Sequence, residues 1–109
     1  MLTLAVSLAA GLGALCRYLI GLRVRAPYGT FLINVTGSFL LGLLVGAAGH
    51  DLLAVAGVGF AGGFTTLSTW AWETVVLAEE GDRWAAAANI ALSFGAGLLA
   101  AAAGLAIAG

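Results

Sequence analysis

Gly57-Val58-Gly59-Phe60-Ala61-Gly62-Gly63-Phe64-Thr65-Thr66-Leu67-Ser68-Thr69-Trp70 is the stretch that decides the fold. Four glycines precede four hydroxyl residues inside an apolar segment running from about Leu52 to Leu77. Glycine in a helix interior costs about 1 kcal/mol against alanine. Gly62-Gly63 followed by Thr65-Thr66 therefore predicts a helix that unwinds at its centre. Unwound backbone at membrane depth persists only where protein or a polar cavity satisfies its N–H and C=O groups. This segment is the first candidate for the working site.

Working outward, the rest of the chain reads as membrane. Of its 109 residues 62% are hydrophobic and 8% charged, with no lysine. A soluble domain of this size carries roughly 25% charged residues. The apolar runs reach the ~20 residues that a helix needs to cross a bilayer. Four spans are predicted, at residues 2–22, 29–48, 52–77 and 84–107, forming a single four-helix domain over 1–109. Pro27 ends helical continuity in the first loop, and Tyr28 and Trp84 suit the headgroup region. No basic region precedes the first apolar run, so 2–22 reads as a retained span.

Arg23, Arg25 and Arg83 fall in loops one and three, whereas loop two and both tails carry no arginine. The positive-inside rule puts those two loops in the cytoplasm and both termini outside. The net charge of −1 offers no basic footprint for nucleic acid. Cys16 is alone and His50 is far from it, so no nucleophile–base pair or metal-ligand spacing emerges. The chain reads as no enzyme. Four helices leave little wall around a solute path, which favours an oligomer.

Polar residues inside spans are functional candidates. Arg17 either snorkels to the cytoplasmic headgroups or attracts anions at a vestibule. Glu73 either pairs with an arginine or caps a polar network, with a pathway role as the minority reading. Asn34 needs a partner or a permeating solute, because a buried unpaired amide is costly. Ser68 and Thr69 could bond back to carbonyls one turn earlier. Four hydroxyls beside a glycine break exceed what that requires. Asn89 and Ser93, spaced i, i+4, share a face, and a helix–helix hydrogen bond would explain them equally well. Gly42 and Gly46 form a GxxxG suited to close helix contact.

Three stretches resemble bacterial fluoride channels of the Fluc (CrcB) type: Gly13 to Tyr18, Gly29 to Phe39, and Gly59 to Trp70 with Glu73 after it. The third is the specific one. The resemblance implies an antiparallel, dual-topology dimer in the plasma membrane of a bacterium, exporting fluoride passively and so reducing its toxicity. It implies a third helix broken at its centre, with a structural sodium ion between subunits on the backbone carbonyls of Gly62 and Thr65. It implies an anion pathway of Asn34, Leu67, Ser68, Thr69, Trp70 and Ser93. The family's usual pair of phenylalanines is replaced by Leu67 and Trp70. Leu67 has no ring edge to offer an anion. That substitution and the arginine bias raise a related, oppositely oriented subunit as partner, beside the homodimer. Competing readings are a small proton-coupled drug exporter, opposed by the absence of an acid in the first span, and a non-conducting structural subunit, which would need neither the break nor Asn34.

Overall fold

The computed structural model describes residues 1–109 and is all-helical. Helix α1 covers Leu2–Arg23 and α2 covers Tyr28–Ala47. The third span begins with one helical turn, α3 (His50–Leu52), and continues as a π-helical segment, Leu53–Ala61. A further turn, α4 (Gly62–Phe64), ends its first half; α5 (Leu67–Glu79) is the second half. Helix α6 covers Arg83–Ala108. Four helical spans are thus long and apolar enough to cross a membrane, the third as His50–Glu79.

The chain measures 47 × 28 × 20 Å. Its long axis fits a bilayer of ~40–45 Å with headgroups included. Only 15 of 109 residues are buried, so most apolar area faces outward. Leu8, Leu12, Leu98, Leu99 and Ile107 are all exposed. Such a surface needs lipid as its solvent.

Two helix pairings build the bundle. Helix α2 packs along α6, and α1 packs along the first half of the third span. Both seams depend on close backbone approach. A β-carbon at Gly42 would collide with the Ala101 carbonyl, and one at Gly104 with that of Phe39. Gly63 lies against the Ala10 carbonyl and Gly13 against Phe60 and Phe64. Helices associate in lipid by such packing, because hydrocarbon supplies no hydrophobic drive between them.

The third span changes neighbours midway. Its first half lies on α1, whereas α5 lies on α6. The interruption is at Thr65 (φ −78°, ψ 157°) and Thr66 (φ −147°, ψ 119°), both extended. Gly62 and Gly63 remain helical. The glycine pair does not itself unwind, because Gly63 serves the contact with α1. The π segment, in which the Gly62 N–H bonds the Gly57 carbonyl five residues back, is a feature the sequence did not announce.

Candidate functional site

Chain continuity across Thr65-Thr66 leaves backbone groups without helical partners at mid-membrane depth. One side chain supplies the missing bonds. Asn34 Oδ1 accepts from the Thr66 N–H at 2.8 Å, and Asn34 Nδ2 donates to the Thr66 carbonyl at 3.0 Å. The amide thus pairs with Thr66 as a neighbouring strand would. An amide carries two N–H groups, so one remains available.

The same exchange frees an acceptor. In an unbroken helix the Thr66 N–H would bond the Gly62 carbonyl. Here it goes to Asn34. Thr65 stays tied to the first half of the span, its N–H and its hydroxyl both donating to the Ala61 carbonyl at 2.9 Å. Gly37 makes room for the Thr65 methyl.

Thr66 then caps α5. Its side chain accepts from the Thr69 N–H at 3.2 Å, and its hydroxyl lies 3.4 Å from that of Ser68. Serine and threonine are favoured at this position because they satisfy a donor that the helix leaves free. A 13-residue helix therefore starts inside the membrane. Its N-terminal end carries partial positive charge. Leu67, Ser68 and Thr69 stand exposed there, Leu67 at 74%. An open groove of about 480 Å³ runs over the break, lined by Asn34, Ser38, Gly62, Thr65, Thr66 and Leu67 among others.

A second, smaller cavity of about 170 Å³ joins the break to the arginine-bearing end. Arg17, Thr30, Thr66, Thr69 and Glu73 line it. Thr30 donates to Glu73 Oε2 at 2.9 Å, while the buried Glu73 Oε1 has no partner. Of the two partners considered for Glu73, the structure gives a polar network. No arginine makes a salt bridge, and the one His–carboxylate contact, His50 Nδ1 with Asp51 Oδ1 at 3.0 Å, is exposed at the other end of the bundle.

The remaining polar residues lie in the α5–α6 seam. Trp70 Nε1 donates to the Asn89 carbonyl at 3.2 Å, and Asn89 Nδ2 donates to Thr74 Oγ1 at 2.8 Å. The Ser93 hydroxyl reaches Asn89 Oδ1 at 3.5 Å. Asn89 and Ser93 are each 8% exposed. Within one chain Ser93 therefore points into the seam, whereas Ser68 and Thr69 face outward.

Thr30, Ser38 and Thr74 also take part in these arrangements, although their residue types alone did not mark them. A signal existed for two of them. Thr30, Asn34 and Ser38 recur at i, i+4, i+8 and form one polar stripe along α2. No group of histidine, cysteine, aspartate and glutamate is assembled to hold a metal. The oxygens at the break belong to main-chain carbonyls, hydroxyls and the Asn34 amide.

Residues 4–105 match the family described as "CrcB-like protein, Camphor Resistance (CrcB)". Among similar proteins, "Fluoride-specific ion channel FluC 2" of Natronomonas pharaonis is 48% identical, over 95% of this chain and 91% of its own. "Fluoride-specific ion channel FluC 1" of Symbiobacterium thermophilum is 45% identical, over 94% and 93%. "Fluoride-specific ion channel FluC 2" of Mycobacterium bovis is 42% identical, over 90% and 83%.

Proposed function

The chain belongs to the CrcB-like family, and from that premise we propose that it carries fluoride through the break in its third span, as one subunit of an antiparallel dimer. It is a fluoride-specific ion channel, not an enzyme, and a multi-pass protein of the plasma membrane. The observation that carries the site assignment is the Asn34–Thr66 pairing, which holds open a polar break at mid-membrane depth.

Fluoride is small and strongly hydrated, so a path must replace its water with donors. A fixed full charge at the centre would trap it. The donors assigned here are uncharged: the remaining Asn34 N–H, the hydroxyls of Ser68 and Thr69, and Ser93 once its long bond to Asn89 is released. The N-terminus of α5 adds a partial charge where the ion loses most water. Arg17 stands at the mouth rather than the centre, where it draws anions in without holding them.

A second chain is supported by the groove over the break. Polar backbone and side chains at that depth need cover other than lipid. An inverted copy laid along the groove would provide it and bring two breaks together. The carbonyls of Gly62 and Thr65 suit a hard cation such as sodium, which takes oxygen ligands. The released Gly62 carbonyl fits that role, and each chain would supply the same pair. Bound there, with its charge screened by the carbonyl dipoles around it, sodium would tie the two backbones together.

The partner is a second copy or a related subunit in the opposite orientation. Loss of a ring at Leu67 and the one-sided arginines support the second arrangement. A fluoride-selective electrode on reconstituted liposomes tests both levels. Fluoride efflux with chloride retained is expected. No efflux from this chain, alone or with a related subunit from the same source, overturns the function. Efflux from this chain alone overturns obligate pairing.

A further inference from the structure

Trp70, Thr74 and Asn89 close a hydrogen-bonded circuit. The Trp70 indole N–H donates to the Asn89 carbonyl at 3.2 Å. The Asn89 side-chain amide donates to Thr74 Oγ1 at 2.8 Å, and Thr74 Oγ1 donates to the Trp70 carbonyl at 2.9 Å. The direction of every link is fixed. A threonine hydroxyl has one hydrogen, and here it goes to the Trp70 carbonyl. Its oxygen must then accept from Asn89, which turns Asn89 Oδ1 toward Ser93. The indole has one N–H, and the circuit uses it.

We propose that this circuit withholds the Trp70 N–H from the anion, so that the indole meets fluoride through its C–H edge alone. The inference rests on the reading above that Trp70 borders the fluoride path. An indole N–H aimed at fluoride would be a strong donor to a strong acceptor. Conduction requires binding weak enough to release the ion. An aromatic C–H edge is only weakly positive. Tying the N–H to a backbone carbonyl lets a tryptophan serve where a free donor would hold the ion. Asn89 and Thr74 are accordingly positioning residues for the ring, and neither contacts the ion.

Protein labelled with ¹⁵N at its three tryptophans gives indole signals assignable through Trp72→Phe and Trp84→Phe. The Trp70 N–H is expected to exchange slowest with solvent and to stay fixed during a fluoride titration. Thr74→Val opens the circuit. It should speed that exchange, make the signal respond to fluoride, and lower efflux several-fold. Thr74→Ser keeps the hydroxyl and should behave as the parent. Added to Trp70→Phe, which has no N–H to release, Thr74→Val should alter efflux less than about twofold further. A fluoride-dependent shift of the Trp70 N–H in the unaltered protein overturns the proposal, as do equal Thr74→Val effects in both backgrounds. Normal efflux with a fluoride-responsive N–H sinks this inference alone. Absence of efflux from the unaltered protein, with or without a partner, removes the underlying reading of the path and this inference with it.

Discussion

Asn34 and Thr66, 32 residues apart, are joined by two hydrogen bonds of 2.8 and 3.0 Å that use both ends of one side-chain amide. The pairing completes the broken backbone and leaves one Asn34 N–H without a partner, the donor proposed above for the ion.

Asn34→Asp should separate from a simple loss of polarity. Aspartate accepts from the Thr66 N–H but offers nothing to the Thr66 carbonyl, and it sets a negative charge beside the anion path. The unpaired carbonyl costs about 1–3 kcal/mol. Unfolding in detergent should show a loss of that size, and efflux should drop by tenfold or more. Parent-like efflux would remove Asn34 from the path.

Leu67→Phe should raise fluoride efflux. Leu67 is 74% exposed at the start of α5, so a ring fits without repacking the chain. Its edge adds a weakly positive surface facing the groove. The electrode assay checks this, with unchanged or lower efflux as the contrary result.

Thr30→Val should destabilise more than Glu73→Gln. Removing Thr30 strips Glu73 of its single hydrogen bond and leaves a carboxylate without a partner inside the bundle. A hydrogen bond to a charged acceptor is worth about 1.5–3 kcal/mol. Glutamine keeps an acceptor for Thr30 and carries no charge. Combining the two changes should cost less than their sum, as read by unfolding in detergent.

Sodium should raise the Tm of the purified protein, while an equal concentration of N-methylglucamine should not. A ligand at 100 times its Kd adds about 2.7 kcal/mol. The proposed ligands are main-chain carbonyls, so Thr65→Ser should retain the sodium effect. Identical melting in both salts would remove sodium from the break.

Gly42→Val should open the α2–α6 seam. Its side chain would meet the backbone of Ala101, which has no rotamer to yield. Overpacking of this kind costs about 1–3 kcal/mol, and unfolding in detergent is the measurement. A parent-like midpoint would show that the seam can spread.

The α class and the presence of four spans were legible because they depend on composition and run length. The unwinding was legible only to within a few residues. Gly62-Gly63 looked like the weak point, yet Gly63 is committed to contact with α1 and stays helical. The break falls instead on Thr65-Thr66, where Asn34 can complete the backbone. Sequence could mark Asn34 as needing a partner but could not name one 32 positions away. Thr74 stayed hidden for a different reason. Its bond to the Trp70 carbonyl is the ordinary local habit of a helical threonine, which masks its second bond, to Asn89. Arg17 and Glu73 were legible as polar residues near one end, but their shared cavity arises from the way α1 and α5 converge with α2.

The exchange of neighbours at Thr65-Thr66 gives each leaflet of the bilayer its own architecture. On one side of the midpoint the third span leans on α1, and on the other it leans on α6. The ladder of main-chain bonds does not run unbroken between them. The two halves resemble panels on separate hinges, fastened by a single latch at Asn34. A disturbance on one panel has only that latch and the flanking helices through which to reach the other.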